Sequence, residues 1–128
     1  MSYYMAKTIK MNFEEAVLAT TASLKEQGSG IITEIDMRAT LKKKLDKDIP
    51  SYVILGACNP TYAYESIMNE PQVGVMLPCN VIVRQLANNE VEVAAVDPIA
   101  SMIAIKNDKL HAFAHQVKSL LEKAVINL

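Results

Sequence analysis

Apolar and polar positions alternate weakly over residues 5–11, which reads as a first strand. The period then lengthens. Across residues 13–27, Phe13, Val17, Thr20 and Leu24 recur at helical spacing, with Glu14, Lys25 and Glu26 elsewhere. Asn12 stands at the N-cap position of that helix, with Glu15 as a capping-box partner. Gly28 sits where a left-handed C′ residue is wanted. Alternation returns with Ile31, Thr33, Ile35 and Met37 set against Ile32, Glu34 and Asp36, a second strand. Residues 38–48 carry Leu41 and Leu45 around Lys42, Lys43 and Lys44, a short helix with a solvated face. Residues 51–58 are apolar at both parities, so this strand is expected to be covered on both sides. Asn59-Pro60 starts a helix running to about residue 68, which Pro71 blocks from continuing. Strands are expected at 73–77, 81–86 and 91–96, the last two joined across Asn88-Asn89, a pair suited to a primed turn. Asp97-Pro98 repeats the cap-and-proline helix start. Asn107 then caps a final helix whose apolar stripe holds Leu110, Phe113, Ala114, Val117, Leu120, Leu121 and Ala124. The order predicts an α+β fold: a largely antiparallel sheet, two long helices on one face, and two or three short helices.

Length and composition narrow the class. The 128 residues form one domain, 1–128, with 51% hydrophobic and 21% charged residues, which excludes a disordered or disulfide-dense chain. Thirteen basic against fourteen acidic residues argue against a nucleic-acid surface or an anionic membrane surface. No secretory leader and no membrane span is evident, and two cysteines are ordinary for a reduced compartment, so the expected location is the cytoplasm. No nucleotide-binding glycine motif or GxSxG elbow occurs. His111 and His115 are spaced i, i+4, yet their stripe runs on through Lys118 and Glu122 and reads as solvated. No metal site and no cofactor is therefore expected. Glu34 and Asp36 share a strand face that reads as the solvent side.

Two segments could carry chemistry: Leu-Gly-Ala-Cys-Asn-Pro at 55–60 and Leu-Pro-Cys-Asn-Val at 77–81. Cys58 ends a strand just before a helix N-cap, where the helix's positive end favours a thiolate. Cys79 follows a proline break. Gly56 removes bulk one step away and permits close approach of a backbone or ligand. If the two strands are neighbours, the thiols meet. The competing reading is plain packing, since free cysteine usually behaves as a small hydrophobe. Met68, Met76 and Met102 are candidates to line an adaptable apolar pocket.

The joint pattern resembles a known family. Tyr52-Val53-Ile54-Leu55-Gly56-Ala57-Cys58-Asn59-Pro60, then Ala63, Pro71, Gly74, Leu77-Pro78-Cys79-Asn80-Val81, Val93 and Asp97-Pro98 are similar to the prokaryotic family catalogued as domain of unknown function 302. Phe13-Glu14-Glu15-Ala16 and Glu34-Ile35-Asp36 fit as well, and the match covers roughly residues 5 to 125. The resemblance implies a curved antiparallel sheet of the TATA-binding-protein class and implies no activity.

The leading expectation is a small-ligand-binding domain with a concave site at Gly56, Cys58, Asn59, Cys79 and Asn80. In it Asn59 caps its helix and leaves backbone N–H groups for a small anion or carbonyl. Two alternatives stand beside it: an enzyme using Cys58 as nucleophile with Cys79 resolving it, and a non-catalytic dimeric module. Whether the protein is an enzyme is left open. A homodimer is expected because the strand apolar on both faces needs a cover, with Tyr62, Ile67 or Met76 at the contact.

Overall fold

The computed structural model describes residues 2–128. Five strands, β1 (Tyr4–Lys10), β2 (Gly30–Asp36), β3 (Tyr52–Cys58), β4 (Cys79–Gln85) and β5 (Glu90–Val96), form one curved sheet in the order β1-β5-β4-β3-β2. Every neighbouring pair is antiparallel. Helix α1 (Phe13–Glu26) carries the chain from one edge strand to the other and packs on β2, β4 and β5. Helix α5 (Asp108–Ile126) lies beside α1 over β1 and β5, so both long helices cover one face. Helix α2 (Met37–Leu45) packs at β2 and β3, while α3 (Pro60–Asn69) and the single turn α4 (Pro98–Ser101) pack on α5.

The helix starts follow from local chemistry. Asn12, Asn59, Asp97 and Asn107 each accept a backbone N–H from the first turn of the helix they precede, and Pro60 and Pro98 occupy positions where no N–H is needed. Gly28 has φ +84°, and Asn88 and Asn89 have φ of 60° and 59°, as a primed hairpin turn requires.

Two expectations are corrected. Residues 73–77 are not a strand; Pro71–Met76 is a 3₁₀ helix, and the sheet has five strands rather than six. Val73 N–H donates to Glu70 O and Leu77 N–H to Gly74 O, the i→i+3 pattern. Val73 is buried and Val75 is 84% exposed, whereas a strand would set both on one face. The alternation of the second strand is also broken. Ile31 pairs with Ala57, but Thr33 pairs with Gly56, so Ile32 is the extra residue of a bulge and Ile31 and Thr33 face opposite sides. Asp36 is the cap of α2, its carboxylate accepting from Ala39 N–H at 2.9 Å.

Two cores result. The larger lies between sheet and long helices and is built on Leu24, Leu55, Val81, Val83, Val93 and Leu121. Fully burying each leucine contributes about 1.5–3 kcal/mol. The smaller joins the 3₁₀ helix to the start of α5 through Val73, Met102, Leu110 and Ala114. The opposite sheet face carries an unbroken apolar row, since Ala6, Ala94, Ile82, Ile54 and Ile35 are register partners across all five strands.

Candidate functional site

A cavity of about 300 Å³ opens at the seam between the two cores. Its floor is the ends of β3 and β4, with Ala57 and Cys79 as register partners. One wall is α3, which presents Tyr62, Ala63, Ser66 and Ile67, positions that share a helix face. The opposite wall is α5, with Phe113, Ala114, Val117 and Leu121. Tyr62 and Phe113 bridge the two helices, ring centroids 6.0 Å apart and tilted by 55°. Leu77, Pro78, Pro98 and Met102, together with Ser29 and the bulged Ile32, complete the lining. The bulge therefore turns an edge-strand isoleucine towards the cavity.

The five expected site residues separate. Cys58, Asn59 and Cys79 border the cavity; Gly56 and Asn80 do not. Gly56 is sealed beneath Thr33 and Pro78: a Cβ there would stand 2.0 Å from Thr33 Oγ1. Asn80 is its partner on β4 and lines a groove on the outer sheet face with Tyr4, Tyr52, Ile82 and Arg84. Strand parity explains the split, because Cys79 and Asn80 are adjacent and point to opposite faces. Cys58 has the parity of Gly56 but is the last residue of β3, where the chain turns into α3. Of the three methionines only Met102 lines the cavity; Met68 and Met76 are exposed.

Electrostatics favour a neutral interior. Burial pushes the Cys79 thiol up to about 11, and the nearby Cys58 adds to the rise. At neutral pH about one Cys79 in 10⁴ is ionised. Asn59 is committed to its helix, its Oδ1 accepting from Tyr62 N–H at 3.4 Å. Among the described residues, the cavity lining contains no Asp, Glu, Lys, Arg or His. Among these residues no cluster of three or more His, Cys, Asp or Glu could hold a metal ion. His111 lies against Ile105 O and His115 is exposed, while Lys118 on the same stripe is held by Asp97 at 3.0 Å. Burial alone would raise the Asp97 carboxyl. Bonds from Lys118 and from the N–H groups of Ile99 and Ala100 outweigh that cost and hold it below the usual range.

As cavity residues Ser29, Tyr62, Ala63 and Ser66 are unexpected, Tyr62 having been placed at a dimer contact and Ala63 only within the family pattern. The only available signal was the spacing of Tyr62, Ala63, Ser66 and Ile67 on one helical face.

The family model described as "Domain of unknown function DUF302" matches residues 5–128. A crystal structure described as that of "uncharacterized conserved protein DUF302" from Bacillus stearothermophilus matches with a TM-score of 0.90 at 21% sequence identity, covering 98% of this chain and 98% of that chain. At that identity the likeness is one of fold. A comparison with curated proteins finds no match.

Proposed function

The chain belongs to the DUF302 family, whose description assigns no activity, and from the geometry of the site we propose that it is a binding domain for a small apolar molecule. The observation that carries this is the cavity of about 300 Å³ at the seam of the two cores, walled by α3 and α5 and free of charged side chains among the described residues. That volume is at the lower end of ligand pockets, about 300–1,000 Å³. A water-sized group occupies about 30 Å³, so the cavity takes roughly ten non-hydrogen atoms. Thiol chemistry is the weaker reading, because a resolving Cys79 would have to ionise against its burial. The arrangement of sheet and long helices fits the TATA-binding-protein class, and two free cysteines fit a reducing compartment, taken here as the cytoplasm.

Fluorescence titration with naphthalene tests the proposal. The chain contains no tryptophan, which leaves the probe's emission readable. Saturable binding with one site per chain is expected, lost in Ala63→Phe, which places a ring in the cavity. Absence of binding to the wild type, or unchanged binding to Ala63→Phe, overturns it.

A second reading, a homodimer, is favoured by the apolar row on the outer face. The groove there is lined by strand residues and Tyr3, and by no helix residue. Five strands about 4.8 Å apart and seven residues at about 3.4 Å each give a face of roughly 550 Å², so two copies bury roughly 1,100 Å². This clears the floor of about 1,000 Å² for a specific interface. Tyr62 and Ile67, which line the cavity, are replaced at the contact by Ile54 and Ile82. Sedimentation equilibrium should give twice the 14.1 kDa chain mass at micromolar concentration, and the chain mass for Ile82→Glu. A wild-type mass of 14.1 kDa overturns the dimer.

A further inference from the structure

Among the described residues four polar or charged side chains are buried: Thr20, Ser29, Ser66 and Asp97. Two are satisfied by the protein. Thr20 Oγ1 donates to Ala16 O at 2.7 Å, and Asp97 accepts from Ile99 N–H and pairs with Lys118. The hydroxyls of Ser29 and Ser66, on residues 3% and 5% exposed, make no hydrogen bond to another described residue. Ser66 is the more telling. A helical hydroxyl can bond back to the preceding turn, as Thr20 and Thr21 do, yet Ser66 does not. Neither oxygen is sealed off, because every fully enclosed side-chain oxygen or nitrogen among the described residues has a partner. Both serines border the cavity.

A hydroxyl offers one donor and two acceptor sites, and burial without a partner costs free energy. The two serines come from different elements. Ser29 sits in the loop between α1 and β2, anchored by its own N–H donating to Leu24 O at 2.9 Å, and Ser66 lies within α3. Between them the lining is apolar, from Met102, Phe113 and Val117. An ionised carboxylate, phosphate or ammonium would meet no counter-charge among the described lining residues and would lose its hydration unrepaid.

Resting on the binding reading above, we infer that the ligand is an uncharged apolar molecule bearing alcohol, phenol or carbonyl oxygen, hydrogen-bonded by Ser29 and Ser66. These hydroxyls set the polar specificity of the cavity; the aromatic and aliphatic walls supply affinity. The fold does not use them, so their loss should change ligand choice without harming the apo protein.

Three probes with one skeleton test this: naphthalene, naphthol and naphthoate, titrated by fluorescence against wild type, Ser29→Ala, Ser66→Ala and the double variant, with circular dichroism to verify folding. In the wild type, naphthol is expected to bind more tightly than naphthoate. Each single variant should weaken naphthol roughly three- to tenfold, the span of one hydrogen bond, and the double variant by more, all leaving naphthalene unchanged. Tighter binding of naphthoate than naphthol, or an unaltered ratio of naphthol to naphthalene affinity in the double variant, overturns the assignment while the cavity reading stands. Failure of all three probes to bind the wild type overturns both.

Discussion

Gly56→Ala tests how closely the sheet is fitted to the cavity wall. Gly56 lies within β3, paired with Thr33 on β2 and Asn80 on β4. An added Cβ would stand 2.0 Å from Thr33 Oγ1 and 2.7 Å from Pro78 Cγ. Thr33 is on an exposed edge strand, and its hydroxyl can swing to another rotamer. The proline ring has no such freedom. It must retreat by about 0.7 Å to reach an ordinary 3.4 Å contact, and it borders the cavity just before Cys79. Overpacking of this kind costs about 1–3 kcal/mol. The lower chain entropy of unfolded alanine returns about 0.4–1 kcal/mol. The net expectation is a loss of about 1–2 kcal/mol, or a urea midpoint lowered by roughly 1 M for a slope of about 1–2 kcal/mol/M. Thr33→Ala in the same chain should recover only part of the loss, because the Pro78 contact remains. Coincident midpoints for Gly56→Ala and wild type would refute the close approach. Full recovery in the double variant would refute the part assigned to Pro78.

Cys79 gives a pH prediction. Its thiol is raised from 9.0 to about 11 in the folded state, so the folded protein holds the proton more firmly than the unfolded chain. The resulting stability is present below pH 9 and is lost as pH rises towards 11. It amounts to about 2–3 kcal/mol, seen as a steeper alkaline fall in urea midpoints than Cys79→Ala shows. Lys118→Met removes the partner of buried Asp97 and should cost about 1–3 kcal/mol at neutral pH. Because the Asp97 carboxyl is held below 3.8 in the fold, the gap from wild type should narrow as pH falls beneath that value, in urea titrations across the acid range. Ser66→Ala in the apo protein should leave the thermal midpoint unchanged or raise it. Thr20→Val, which removes a satisfied hydroxyl, should lower it; differential scanning calorimetry compares the two.

Much of the fold was readable because its punctuation is local. Asn12, Asn59-Pro60, Asp97-Pro98 and Asn107 cap helices by chemistry that needs no tertiary partner, and Asn88-Asn89 turns the hairpin by its own dihedral preference. What was missed depends on tertiary context. Val73 and Val75 look the same in a strand and in a 3₁₀ turn, and only the hydrogen bonds of Glu70 and Gly74 decide. The bulge at Ile32 exchanges the faces of Ile31 and Thr33 without any glycine to announce it. The site was half visible. The Cys58-Asn59 and Cys79-Asn80 segments do meet at neighbouring strands, but Asn80 faces away, and Gly56 is a packing glycine. Ser29 and Ser66 carry no motif; they stand out only when burial and hydrogen bonding are known together.

The most direct test of a ligand cavity between α3 and α5 is to map where a neutral apolar probe binds on the intact protein. Amide chemical shifts followed during titration with naphthol should move saturably at Ser29, Ala63, Ser66 and Val117, with Tyr4, Ile82 and Arg84 on the outer sheet face unmoved. Shifts confined to the outer face, or no saturable shift at the cavity residues, contradict it.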